Sequence, residues 1–477
     1  MNINPLIFRA YDIRGIAAPE LCNPPSDKPA DLTPQSVYAI GHGTAIYLGK
    51  KYDTKTMAVG SDNRLTSETL RKAFMNGVKN GGISPTDIGY VTSPMVYWAS
   101  CAAGFDSATN ITASHNPKEY NGVKTVTKGA HSICGDELQE ILKIIQEDGQ
   151  SEPNFIKQDN PFPTRDIWPE YLSDIISKIK LSRPLKIVVD AGNGVAGKFA
   201  PELLRKIGCE VTELYCDLDG NFPNHEANPE ELHNMRDLIK KVLELKADLG
   251  VGFDGDGDRV GVIDEKGQHY SADFMLLLLA RDLLTRLPGS QIVFDVKVSK
   301  VIINELQRLG AIPIMSKTGH SFIETKMKEI KAPLAGEVSG HLFFGENYYG
   351  FDDALLGAAR IIEIIAKSNK PLSEAFNDLP KAFATPEFKA HCPDNKKFEI
   401  VKNLVSHFTA LYDCITIDGV RINFDENSWG AVRASNTSPN LTLRFESNTP
   451  KRLKEIQGIM VAELRKYPEI SLSWYQE

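Results

Sequence analysis

Three times along the chain a short apolar stretch leads straight into a longer stretch of helical periodicity: 56–60 into 67–80, 186–190 into 201–207, and 291–295 into 300–309. Apolar strands alternating with amphipathic helices read as α/β units, whose ligands are expected at the strand ends. A chain of 477 residues is long enough for several such cores. The Pro- and charge-rich segment 151–163 separates the first unit from the second, 265–269 the second from the third, and 379–386 precedes a last unit of α+β character. The expected architecture is three similar α/β domains followed by a smaller α+β C-terminal domain around a central cleft, with boundaries at 1–155, 156–265, 266–380 and 381–477.

Between the strand-like segments 247–253 and 260–263 lies Asp254-Gly-Asp-Gly-Asp-Arg259. Three carboxylates at alternate positions, with only glycine between them, repel one another unless a cation sits among them. Hard oxygen ligands suit Mg2+ or Ca2+, and glycine lets the backbone turn close to the ion. An EF-hand would take Glu265 at its twelfth position counted from Asp254. Its sixth position is Arg259 where glycine is required, and the flanks are strand-like where helices are required. A solvated acidic turn is the plain alternative. Arg259 argues against it, because a cation fixed beside a metal cage suits a phosphoryl group in transit.

Thr112-Ala-Ser-His-Asn-Pro117 sets a small hydroxyl, Ser114, at a sharp turn behind the small and apolar run 108–113. Acyl transfer with His115 as base is disfavoured, since adjacent side chains seldom point at each other and no Gly-x-Ser-x-Gly elbow is present. An ordinary polar turn stays open. Lys124, in Tyr120-Asn-Gly-Val-Lys124, is placed to bring a cation back to the serine.

Two further loops carry polar groups. Gly336-Glu-Val-Ser-Gly-His341 offers a carboxylate, a hydroxyl and an imidazole, a mixture suited to vicinal sugar hydroxyls. The aromatic residues behind it, Phe343, Phe344, Tyr348, Tyr349 and Phe351, read as core rather than as a stacking platform. Arg433-Ala-Ser-Asn-Thr-Ser-Pro439 combines a guanidinium, an amide, hydroxyls and turn backbone, which together suit an anion. The alternating segment Leu441-Thr-Leu-Arg-Phe445 anchors that loop as a strand.

One motif argues for another class. Leu185-Lys-Ile-Val-Val-Asp190 leads into Gly192-Asn-Gly-Val-Ala-Gly197, with Asp217 and Asp219 near the distance expected of a dinucleotide fingerprint. Asp190 directly before the glycines, and the lack of any hydride-transfer or flavin signature, favour a tight packing turn. A nucleotide-dependent oxidoreductase and a noncatalytic sugar-phosphate sensor therefore stand as rivals to an enzyme of phosphoryl transfer.

Composition narrows the partners. A formal charge of −8 gives no reason to expect nucleic acid, so an anionic substrate must be drawn by local cations. No apolar run approaches a membrane span, and the start lacks a basic segment followed by an apolar one. Seven cysteines without a Cys-x-x-Cys indicate reduced thiols, a cytoplasmic setting and no structural zinc.

The four motifs in this order, with the opening Phe8-Arg-Ala-Tyr-Asp-Ile-Arg-Gly15, resemble the alpha-D-phosphohexomutase family, most closely its bacterial phosphomannomutase/phosphoglucomutase branch. The resemblance covers residues 8–446 and includes Asp295-Val-Lys297, Lys317-Thr-Gly-His-Ser321 and Gly350-Phe-Asp-Asp353. It implies an isomerase in which phosphorylated Ser114 gives its phosphoryl group to a hexose 1- or 6-phosphate, and the bisphosphosugar turns and returns the other one. It further implies Mg2+ on Asp254, Asp256, Asp258 and the Ser114 phosphate, with hexose 1,6-bisphosphate as intermediate and activator. Arg14, Lys124, Arg259 and His341 join Ser114 as the catalytic set, Lys124 and His341 being the candidates for moving protons. Glu337 and Ser339 are implied for the sugar hydroxyls, Arg433, Ser435, Asn436 and Thr437 for the idle phosphate, and Tyr11, Lys297 and His320 for further substrate contacts. The implied partner is a small hexose phosphate, without nucleic acid or membrane, and a monomer is the working expectation. Three departures stand out: an insertion over 17–33 that includes Cys22, Ala113 where the branch usually has glycine, and Val338 in the sugar loop. Val338 leans toward glucose and mannose phosphates over the runner-up, a phosphoglucosamine mutase.

Overall fold

The computed structural model describes residues 3–27, 29–147, 161–368, 370–435 and 438–475. They fall into two compact units, one of residues up to 275 together with 339–375, the other of 276–338 together with 376 onward.

The first unit holds two sheets. In one, Ser84–Tyr90, Thr56–Ser61 and Ser107–Ile111 run parallel, and Tyr120–Thr127 and then Ile13–Ile16 add antiparallel. The serine loop is thus the connection of an antiparallel pair, and its register sets Lys124 beside Asn110 and Arg14 beside Gly122. Helix Pro34–Tyr52 starts with a Thr33–Ser36 capping box and proline in its first turn. It lies backbone to backbone on helix Ser67–Asn80: a Cβ on Gly77 would stand 2.1 Å from Tyr38 O. In the other sheet Glu210–Leu214, Lys186–Asp190 and Leu249–Phe253 run parallel, and Val260–Asp264 returns antiparallel with Phe253 opposite Val260. The aspartates occupy the loop of that hairpin, between strands as expected. His269–Tyr270 pairs with Val262 and Ile263, so the segment 265–269 is a turn inside this sheet.

In the second unit Ile312–Ser316, Gln291–Asp295 and Leu334–Gly336 form a parallel set. A separate antiparallel sheet orders Asp413–Ile415, Val420–Asp425, Ser428–Ala434 and Asn440–Ser447, with Phe383–Ala384 and Phe388–His391 both on the last strand. Helices Asp394–Thr409 and Pro450–Leu464 share its core through Leu404, Phe408, Phe445, Ile456 and Met460. Arg421, 1% exposed, lies 3.7 Å over the Trp429 ring and donates to Val296 O at 2.6 Å and Val298 O at 2.8 Å. It ties this sheet to the loop that follows Gln291–Asp295.

The sequence-expected helices appear as Ser67–Asn80, Ala200–Lys206 and Lys300–Arg308. Phe343, Phe344 and Phe351 are buried, as read, whereas Tyr348 and Tyr349 are half-buried and their hydroxyls donate to Asp353 Oδ2 at 2.7 Å and Asp174 Oδ2 at 3.1 Å. The insertion lies between Ile13–Ile16 and helix Pro34–Tyr52, and the amides of Ala17 and Ala18 both donate to Glu119 O. Among the described residues no helix is long and apolar enough to cross a membrane. All seven cysteines, each among the described residues, are outside disulfides.

Glu137, on helix Asp136–Glu147, accepts from Tyr52 OH at 2.6 Å, Tyr47 OH at 2.8 Å and Lys51 Nζ at 3.1 Å, joining that helix to Pro34–Tyr52. Burial pushes its carboxyl up, but His131 and these donors outweigh it and bring it from 4.5 to about 2. A carboxylate depressed by folding stabilises above its unfolded pKa and loses that contribution as pH falls through the folded one. Glu137→Gln should therefore be less stable than the parent at pH 7, and the gap should close between about pH 4.5 and pH 2. Urea midpoints measured across that window check this, and a constant gap would refute it.

Candidate active site

The serine loop turns at Ser114 itself, whose φ is +53°, while Ala113 keeps an ordinary backbone. Alanine in place of the usual glycine is therefore tolerated, as the sequence reading required. Ser114 is 2% exposed, and its Oγ donates to Asp254 Oδ2 at 2.8 Å. The same left-handed turn brings His115 Nδ1 to 3.2 Å from Oγ. The expectation that neighbouring side chains would not meet is thus overturned by the backbone conformation. Because the Oγ hydrogen is directed to Asp254, the setting is a carboxylate cage rather than an acyl-transfer pair.

Asp254, Asp256 and Asp258 are all fully buried, with candidate ligand oxygens within 4.8 Å of one another. Sequence reasoning left their repulsion to a metal alone. The structure adds Lys124, whose Nζ donates to Asp256 Oδ2 at 2.8 Å and Asp258 Oδ2 at 2.7 Å. Burial would deprotonate this lysine, but the two carboxylates outweigh it and hold it as an ammonium. Lys124 serves the cage here, where the sequence reading had sent it to the serine. Burial, with Asp258 and Asp256 close by, pushes the Asp254 carboxyl well up. Burial acts on Asp258 in the same direction, yet Lys124 and His341 hold it well below the usual range. One ammonium therefore does not neutralise three carboxylates, and Asp256 Oδ1 is buried without a hydrogen-bond donor among the described residues. Hard oxygens with charge to spare fit a divalent cation.

Other cations ring the cage. Arg259 donates its amide to Asp254 Oδ1 at 3.1 Å, and its Nε stands 3.3 Å from His341 Nε2. His341 Nε2 is also 3.3 Å from Asp258 Oδ1 and 3.7 Å from Asp352 Oδ2, and Ser339 Oγ lies 3.1 Å from its Nδ1. Arg14 is paired with Asp12 and donates to Asn116 Oδ1 at 3.0 Å. Tyr11, half-buried, is near enough to interact electrostatically with Arg14 and Arg259. Sequence reasoning missed Ser93, whose Oγ donates to Asp256 Oδ2 at 2.7 Å and whose amide donates to Asp256 O at 2.8 Å. Its signal was the helix start Thr92-Ser-Pro, where Thr92 caps helix Ser93–Ala102. Asp352 was passed over as part of a linking segment.

The glycine turn 192–197 is a buttress of the aspartate loop. Val195 N donates to Gly255 O at 3.2 Å, and a Cβ on Gly194 would stand 3.0 Å from Gly255 Cα. Gly255 in turn lies on the serine loop, where a Cβ would meet Ser114 O at 2.5 Å. Asp190 accepts from Gly192 N at 2.9 Å and faces His225 Nε2 at 3.1 Å, while Asp219 accepts from Asn221 N at 2.9 Å. The packing-turn reading holds over the dinucleotide one, because the backbone that would approach a pyrophosphate approaches another loop instead.

In the second unit Glu337 Oε1 accepts from Gly319 N at 2.6 Å, directly ahead of His320 at the start of helix His320–Ile330. Lys297 pairs with Glu387 at 2.6 Å, and Asp295 beside it is pushed up to about 6, chiefly by burial. Arg433 Nε pairs with Asp418 Oδ2 at 2.6 Å, and the same oxygen accepts from Thr318 N at 3.0 Å, so Asp418 joins the two loops. Ser435 Oγ lies 2.9 Å from Ser438 Oγ, and buried Lys397 donates to Ser435 O at 2.6 Å and Ser438 O at 2.9 Å. Asp418 and Lys397 were not anticipated. Asn436 and Thr437 lie outside the described residues. Ser339 belongs to the first unit and Glu337 to the second.

Known proteins match along nearly the whole chain. Four family patterns described as phosphoglucomutase/phosphomannomutase α/β/α domains I, II and III and C-terminal domain match residues 5–152, 169–267, 271–383 and 387–463. A phosphoglucomutase of Neisseria meningitidis serogroup A is 40% identical over 472 residues, 98% of this chain and 99% of that one. A phosphomannomutase/phosphoglucomutase of Pseudomonas aeruginosa is 39% identical over 461 residues, 96% of this chain and 95% of that one. The crystal structure of a phosphoglucomutase/phosphomannomutase family protein from Burkholderia thailandensis superposes with a TM-score of 0.86 at 36% identity, covering 98% of each chain.

Proposed function

Since the chain belongs to the phosphoglucomutase/phosphomannomutase family, we propose that it interconverts the 1- and 6-phosphates of glucose and mannose through phosphorylated Ser114 and a hexose 1,6-bisphosphate. The observation that carries this reading is the Ser114 hydroxyl on Asp254, inside a cage that also holds Lys124 and Arg259. In the first half-reaction the Ser114 Oγ–P bond breaks and a bond from phosphorus to the free sugar hydroxyl forms. In the second, the other phosphoryl group returns to Ser114. His341 and Lys124 stand beside the cage as candidates for moving the hydroxyl proton. Asp254, Asp256 and Asp258 with the phosphoserine would hold Mg2+, which when bound supplies neutralisation of the charge on the phosphoryl oxygens. Arg14 and Arg259 add fixed positive charge at the same place, and little further covalent work is needed.

Glu337, Ser339, Lys297, His320 and Tyr11 are assigned to the sugar and its phosphates, and Arg433, Ser435, Asn436 and Thr437 to the idle phosphate. Turnover of glucose 1-phosphate, mannose 1-phosphate and glucosamine 1-phosphate in one assay tests the substrate class. A preference for glucosamine 1-phosphate would install the phosphoglucosamine mutase reading, which the relatives' names do not favour. A cytoplasmic location goes with seven cysteines outside disulfides.

Arg433→Ala should weaken hexose 1-phosphate and hexose 6-phosphate alike, because whichever phosphate is idle occupies the same cradle. Losing a charge-assisted bidentate contact costs about 1.5–3 kcal/mol, or roughly ten- to a hundredfold in affinity. Binding titrations with both isomers check this. A loss confined to one isomer would mean two separate anion sites.

A further inference from the structure

The underside of the serine loop is held by a residue that plays no part in the site so far. Arg64 follows strand Thr56–Ser61 and is 2% exposed. Its guanidinium donates to four main-chain carbonyls of the loop: Ser114 O at 2.7 Å, Asn116 O at 2.6 Å, Pro117 O at 2.7 Å and Tyr120 O at 3.2 Å. Its Nε donates to Asp62 Oδ2 at 3.0 Å. Asp62 Oδ2 also accepts from Thr112 Oγ1 at 2.7 Å, and Thr112 Oγ1 accepts from Ser114 N at 2.9 Å. Ser67 Oγ donates to Asp62 Oδ1 at 2.5 Å. Both main-chain groups of Ser114, amide and carbonyl, are therefore bound into one buried network.

We propose that Arg64, together with Asp62 and Thr112, is the positioning device that keeps Ser114 in its left-handed conformation and aims its Oγ at the carboxylate cage. A non-glycine residue at positive φ is strained and persists only where its surroundings over-determine it. Here the main chain on both sides of the turn is fixed by hydrogen bonds to buried side chains. The planar guanidinium fork reaches carbonyls on both sides of the turn, a pattern that a lysine ammonium cannot reproduce. The Phe222 ring lies 5.4 Å from the guanidinium carbon, and Gly255 seats against the same Ser114 carbonyl. Arg64 is a positioning residue, since it acts on the phosphoryl carrier through the backbone. Its kinetic consequence rests on the mutase reading above.

The test is Arg64→Lys and, separately, Thr112→Val in the full-length chain. Amide hydrogen exchange across residues 112–120 is measured alongside kcat and KM for glucose 1-phosphate and mannose 1-phosphate. The Ser114 and Asn116 amides should exchange at least about tenfold faster while helix Ser67–Asn80 is unchanged, and kcat should fall about a hundredfold with KM within about twofold, the size of loss expected from a small misplacement of a reacting group. Thr112→Val removes a single hydroxyl and should show the same pattern at about a tenth of the size. It decides the matter if Arg64→Lys does not fold. Unchanged loop exchange, or a loss that appears in KM instead of kcat, overturns the proposal. A wild-type chain with no mutase turnover would sink the functional reading, and the exchange measurement would still decide the clamp.

Discussion

Ser114→Ala should lose turnover by at least about ten-thousandfold, because the acceptor of the phosphoryl group disappears and nothing beside it takes over. The neighbouring Thr112 hydroxyl is committed to Asp62 and to the Ser114 amide, and the Ser93 hydroxyl to Asp256. The purified wild-type protein should carry covalent phosphate, mapped by peptide mass to Ser114, and the variant should carry none. Full activity in Ser114→Ala, or phosphate found only elsewhere, would end the assignment.

The second large effect concerns the cage. Thorough chelation should abolish turnover, and Asp256→Asn should lower kcat by about a thousandfold, about 4 kcal/mol in transition-state stabilisation, with far less change in sugar phosphate affinity. Asp256 joins the Lys124 ammonium, the Ser93 hydroxyl and the start of helix Ser93–Ala102. An amide in its place keeps the shape and removes the charge. Turnover that survives chelation would exclude a metal role for the three aspartates.

The parts of the fold that the sequence announces are those whose pattern is local. The strand Lys186–Asp190 is a run of β-branched residues, and helix Ser67–Asn80 has one clear apolar face, so both fall where periodicity places them. The two-residue strand His269–Tyr270 escaped, because it carries no pattern of its own and exists only through its pairing. In the site, side chains on distinctive motifs were legible as candidates, and the structure brings Ser114, Asp254, Asp256, Asp258 and Arg259 together. What escaped were partners defined by backbone direction. His115 faces Ser114 only because of a left-handed φ, and Lys397 and Asp418 act on groups more than a dozen residues away in sequence. Such residues look like ordinary surface charges until the chain is folded.

Gly194 seated on Gly255, and Gly255 on the Ser114 carbonyl, form a column of main-chain atoms with no side chain between them. How closely the serine loop can approach the aspartate loop is thereby limited by main-chain atomic radii. Such a spacer survives sequence drift around it, yet leaves an engineer no gradual adjustment. Admitting a longer nucleophile at position 114 would therefore require moving a whole loop and not one side chain.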